Sequence, residues 1–151
     1  LPLWNPVLVA EQVGTLASLG RGRFILPLAI GGRDQLAPMG VRVRHRGKQF
    51  EAGLEIVRRL LAGETVTTGE PYHLQDCRIS PVPTEPVEVW IGGTAERAVD
   101  RAARLGDGFL ADAHLTPEQA RATIELYRER CEAHGRTPTA IGIRRPAPSE
   151  M

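Results

Sequence analysis

Two pairs of adjacent glycines bear most directly on chemistry in this sequence. Gly92 and Gly93 close the apolar run Val89, Trp90, Ile91, and Thr94 and Ala95 lead from them into an alanine- and arginine-rich segment, residues 95–105, that reads as a helix. Gly31 and Gly32 close a second apolar run, RFILPLAI at residues 23–30. Glycine lets a ligand approach the backbone with no Cβ in the way, and a helix that starts just beyond offers unpaired amides and the positive end of its dipole. Both features suit a phosphate. Glycines also serve simply to turn a strand into a helix, and GGTAERA carries neither the GxGxxG fingerprint nor the P-loop lysine. The residue types therefore leave both readings open.

Other chemically capable residues are scattered. Asp107, between Gly106 and Gly108, reads as a turn former that bonds backbone amides rather than as a catalyst. Arg33 and Asp34 read as solvated loop charges. His45, His73, His114 and His134 fall in different elements with no shared ligand spacing, and only His114 follows an expected strand, either facing its end or sitting in an ordinary loop. Cys77 and Cys131 have no CxxC or Cys/His spacing around them. Cys131 shares a helical face with Ala120, Ile124 and Tyr127, which makes it a buried structural thiol. No metal site is expected, and no catalytic residue is identified.

The elements that must position these residues alternate between helices and short apolar strands. Asn5 followed by Pro6 is a helix start, and Val9, Val13 and Leu16 then recur at helical spacing up to Gly20, read as the stop. After the strand at 23–30 comes a loop with Pro38 and Gly40, then a long helix from about His45 to Ala62 with Phe50, Leu54, Val57 and Leu61 as one stripe. Residues 64–76 read as an inserted β-hairpin, with strands at 65–67 and 72–74 around a turn at Gly69, Glu70 and Pro71. A proline-rich connector, residues 80–86, leads to the strand at 88–91. The helix over 95–105, a strand over 108–111, a helix over 116–133 and a strand over 140–144 complete the chain. Thr116, Pro117 and Gln119 form a capping-box start, and Gly135 marks the stop. Strand, helix, strand, helix implies parallel strands joined by right-handed crossovers, so the fold class is α/β.

The 151 residues suffice for one ordinary domain, and 42% hydrophobic with 25% charged residues are the proportions of a globular protein. A net charge of +1 gives no electrostatic footprint for nucleic acid or an anionic membrane. No apolar run approaches the roughly 20 residues of a membrane span, and no segment resembles a signal peptide. A cytoplasmic protein is expected. The chain begins at Leu1 rather than Met, which suggests a fragment, a processed product or a truncated sequence.

WIGGTAERAVDRAARLGDGF, residues 90–109, resembles the signature of the luciferase-like monooxygenase superfamily. LASLGRGRFILPLAIGG, RGKQFEAGLEIVRRLLAGE and EPYHLQDCRISPVPTEPVEVWIGG are similar to that family's segments, in family order, over nearly the whole chain. The resemblance implies a (β/α)8 barrel domain of which residues 1–151 form about half: four parallel strands with helices plus the hairpin. It implies a flavin or deazaflavin cofactor, coenzyme F420 in the branch most similar to this chain and FMN in the alternative. The activity implied is hydride transfer between coenzyme F420 and a small organic substrate, or FMN-dependent oxygen insertion.

Carried over by motif, the cofactor phosphate falls on Gly92, Gly93, Thr94 and Ala95, and Gly31 and Gly32 fall at the mouth of the fourth barrel strand. Many relatives have Ser where this chain has Ala95. Pro27 and Ala29 replace glycines of the common strand, and a proline inside a parallel strand leads us to expect strain or a bulge. The acid/base residues of such enzymes belong to the strands absent from this chain, so a non-catalytic remnant that keeps the phosphate site is a further reading. The two open strand edges lead us to expect a homo-oligomer.

Overall fold

The structure, a computed structural model, describes residues 1–22, 24–40 and 44–143. The chain divides into two compact units, residues 1–24 with 30–87 and residues 25–29 with 88–151. Residues 23 and 144, expected as strand ends, lie outside the described residues.

In the first unit, α1 (Pro6–Gly20) starts where Asn5 accepts a hydrogen bond from the Val7 amide, with Pro6 in the first turn. Its end differs from expectation. Gly20 stays helical, and the left-handed cap is taken by Arg21 (φ 50°), followed by Gly22 (φ 76°). Its buried face differs too: Ala10, Val13, Gly14 and Ala17 face inward, whereas Leu16 is half exposed. The reason is close backbone packing, since a Cβ on Gly14 would stand 2.5 Å from the Pro81 carbonyl oxygen. Small residues, not the largest ones, fit that contact. α3 (Arg46–Leu61) packs against α1 and buries Phe50, Leu54, Val57 and Leu61, the stripe its periodicity marks.

The segment from Arg33, expected as a loop, forms a one-turn helix, α2 (Arg33–Leu36), that buries Leu36. Arg33 and Asp34 are exposed on it. Residues 72–74 form no strand; a single antiparallel bridge joins Val66 to Cys77, and the Thr68 amide donates to the Leu74 carbonyl. Side-chain bonds complete this excursion, with the Thr67 hydroxyl meeting Asp76 and the Tyr72 hydroxyl donating to the Gln49 carbonyl at 3.1 Å.

The second unit is a four-stranded parallel sheet in the order β1 (Ile25–Leu28), β2 (Glu88–Gly92), β3 (Gly108–Ala111), β4 (Ala140–Ile143). Every neighbouring pair is parallel. The register runs one-to-one through Pro27, which pairs with Trp90, so the expected bulge is absent. Helices α4 (Glu96–Leu105) and α5 (Pro117–Ala133) pack on each other and on the central strands. Leu26, Val89, Ile91, Phe109 and Ala111 are buried, while Pro27, Trp90 and Leu110, alternating with them, are not. On that second set Trp90 lies over β3 and β4: a Cβ on Gly108 would come 2.8 Å from its Cδ1, and one on Gly142 2.7 Å from its Cζ3. Among the described residues no helix is long and apolar enough to cross a membrane.

Candidate functional site

Parallel strands open their loops at their C-terminal ends, where α/β proteins bind ligands. β2 ends at Gly92, and Gly93, Thr94 and Ala95 carry the chain to Glu96, the first residue of α4. Gly92 and Gly93 are half exposed, and Thr94, Ala95, Glu96 and Arg97 are exposed. Ala95 occupies the N-cap in extended conformation (φ −70°, ψ 142°) and supplies no capping side chain. Its carbonyl accepts from the amides of Ala98 (2.7 Å) and Val99 (3.0 Å), which close the first turn. The Glu96 and Arg97 amides precede that turn and are among those a helix leaves without intrahelical partners. An uncapped ten-residue helix, opening onto an accessible glycine turn, presents the donor chemistry a phosphate needs.

Gly93 also has a structural reason to be glycine. A Cβ there would stand 2.5 Å from the Cβ of Ala98, on the first turn of α4. A Cβ at Gly92 would lie 3.2 Å from the Leu110 carbonyl oxygen. The two readings open in the sequence are thus compatible: the glycines bring the strand end against the helix, and no side chain caps the start of α4.

Gly31 and Gly32 belong to the first unit and have local explanations. Gly31 takes a left-handed conformation (φ 88°) beside Leu36, and the Gly32 amide donates to the Gln35 side chain at 3.2 Å, capping the single turn of α2. Asp107 is a turn former. Its carboxylate accepts from the Val89 amide at 2.9 Å, and its own amide donates to the Val89 carbonyl at 2.8 Å, so it ties the end of α4 to the start of β2. The Thr139 hydroxyl donates to the Asp107 carbonyl and joins the approach to β4 to the same turn.

His114 is exposed in the loop after β3, where its amide donates to the Asp112 carboxylate at 2.9 Å. Cys131 is buried on α5 near Tyr127, which stacks on Phe109 with ring centroids 4.9 Å apart. Burial, reinforced by a hydrogen bond with Cys131, pushes the Tyr127 hydroxyl well above its ordinary pKa. Among the described residues no three His, Cys, Asp or Glu side chains cluster as metal ligands.

Periodicity gave no sign of two side-chain contacts between α4 and α5, an arginine–glutamate ion pair and a histidine–aspartate hydrogen bond. Arg130 binds the Glu96 carboxylate at the start of α4, and one turn further along His134 Nε2 lies 2.9 Å from Asp100 Oδ1. Each pair spans 34 residues of sequence. The i, i+4 spacing of Glu96 with Asp100 and of Arg130 with His134 is the signal available, and it becomes meaningful only once the two helices are known to be neighbours.

A parallel β/α chain with its glycine turn at a strand's C-terminal end is the architecture of a barrel enzyme's ligand-binding face. The chain belongs to the luciferase-like monooxygenase family, whose model matches residues 1–148. It is 35% identical to an uncharacterized protein of Mycobacterium tuberculosis, covering 95% of this chain and 50% of the relative. It is 29% identical to an F420-dependent glucose-6-phosphate dehydrogenase of Kineococcus radiotolerans, covering 91% and 42%. Among solved structures it superposes on a monooxygenase of Streptomyces bottropensis with a TM-score of 0.79 at 23% identity, covering 94% of this chain and 46% of that one. The chain therefore spans about half the length of the curated relatives it matches. Its four parallel strands are about half of a (β/α)8 barrel.

Proposed function

We propose that this chain is part of a coenzyme F420-dependent oxidoreductase that transfers hydride between the deazaflavin and a small organic substrate, with the cofactor's phosphate held at the turn Gly92, Gly93, Thr94 and Ala95. The observation that carries the reading is the uncapped N-terminus of α4 opening from that turn, in a chain similar to an F420-dependent dehydrogenase. When bound, the coenzyme supplies the hydride chemistry, and the protein's part is position and electrostatics. The Glu96 and Arg97 amides are the donors, the Thr94 hydroxyl adds to them, and Gly93 keeps side-chain atoms away from the turn. Gly31 and Gly32 have folding reasons of their own.

FMN in place of coenzyme F420 is the second reading, favoured by the structural likeness to a Baeyer-Villiger monooxygenase of Pseudomonas putida in complex with FMN. Both cofactors carry a phosphate, so the turn serves either. Titration of the full-length natural chain with each, followed by cofactor fluorescence and absorbance, separates them. Binding of coenzyme F420 with substrate-dependent change at its absorbance band is expected. Tight FMN binding with oxygen consumption and no F420 binding would replace the first reading by the second, and binding of neither would remove both.

A further inference from the structure

Glu96 poses a difficulty for an anion at the start of α4. It is the first helical residue, next to the donors assigned to the phosphate. A carboxylate in a helix's first turn is drawn to those same unpaired amides and adds a negative charge to the place a phosphate would enter. The structure shows a counterweight on a different helix. Arg130, from α5, holds the Glu96 carboxylate through Nη2, while its own Nε is buried with no hydrogen-bond partner among the described residues.

We infer that Arg130 is a positioning residue for the anion turn: by holding and neutralising Glu96 it keeps the first amides of α4 open to the cofactor phosphate. The inference rests on the phosphate reading of the turn given above. Stability is a poor explanation of the pair, because the Glu96 side chain is 66% exposed and that of Arg130 37%, and exposed ion pairs add little to folding. Its value lies in where it sits. The neighbouring pair of Asp100 with His134 one turn along holds the same two helices in register, so the Arg130 head is presented to Glu96 by a doubled contact. Without Arg130, an uncompensated carboxylate beside the bound phosphate weakens binding by about three- to tenfold in a solvent-exposed setting.

The test uses the full-length natural chain and whichever of coenzyme F420 or FMN it binds, with the dissociation constant read by fluorescence titration and folding by thermal melting. Arg130→Met keeps most of the packed stem and is expected to weaken binding by about three- to tenfold. Glu96→Gln alone, which keeps the backbone donor and leaves the Arg130 charge unopposed beside the anion, should tighten binding, and the double variant should return to within about twofold of the parent. Rescue by Glu96→Gln is the outcome that a mere clamp between α4 and α5 does not give. Unchanged affinity in Arg130→Met, or a loss that the double variant keeps, overturns the inference. Ala95→Asp, which places a carboxylate on the turn itself, separates the two levels. If it weakens binding while Arg130→Met does not, only the role of Arg130 fails. If neither changes affinity, or if neither cofactor binds, the phosphate reading fails and takes the inference with it.

Discussion

Ala95→Asp should move stability and cofactor affinity in opposite directions. Ala95 is the N-cap of α4, already extended at φ −70° and ψ 142°, and it lacks a capping side chain. Aspartate is among the best N-cap residues, and the Ala-to-Asp difference is about 1 kcal/mol in typical helices. For a full-length chain about twice this size, that corresponds to a melting temperature higher by about 1–2 °C. The gain arises because the new carboxylate accepts from the first-turn amides, Arg97 in particular. Those are the donors proposed for the phosphate. The carboxylate takes a donor and adds about 1–2 kcal/mol of repulsion beside the anion, an affinity loss of about five- to thirtyfold. Melting curves without cofactor, together with fluorescence titration of coenzyme F420 and FMN, measure both quantities in one protein. A variant that is more stable and binds as tightly as the parent would refute the placement of the phosphate. One that is less stable would refute the assignment of Ala95 as an uncapped N-cap.

Three further outcomes are expected. Gly93→Ala should destabilise by about 1–3 kcal/mol, because its Cβ would stand 2.5 Å from that of Ala98, and Ala98→Gly in the same chain should recover much of the loss; denaturant unfolding reads both. Asp107→Ala should cost about 1–3 kcal/mol by leaving the Val89 amide without its acceptor, and an unchanged midpoint would show that water replaces the bond. Burial raises the folded-state pKa of both tyrosines, Tyr72 and Tyr127, above the unfolded value of about 10. The unfolded chain then releases these protons first, so their contribution is fully present below pH 10 and is lost as pH rises above it. Tyr127→Phe should flatten the alkaline fall in unfolding free energy, and an identical slope in the variant would count against the shift.

Much of this architecture is legible in the sequence because its signals are local. Asn5 with Pro6, and Thr116 with Gln119, act within one turn of chain, and the helices start where those residues place them. The stripe of Phe50, Leu54, Val57 and Leu61 needs only the helical period to be read, and the alternation of apolar runs with capped helices was enough for parallel strands. Asp107 between two glycines already carried its role as a turn former.

What the tertiary structure decided depends on distances between residues far apart in the chain. Helical spacing favours Leu16 for the core, yet Gly14 is inside, where the Pro81 carbonyl comes too close for a side chain. Pro27 suggests a distorted strand, yet it pairs with Trp90 in an unbroken register. Gly108 and Gly142 look like ordinary strand glycines until Trp90 is seen lying over both. Glu96 and Arg130 have no visible relation across 34 residues until α4 and α5 pack together. Caps and periods are short-range properties of the backbone and can be read along the chain, whereas close packing and charge pairing are set by which surfaces meet, which only the folded chain fixes.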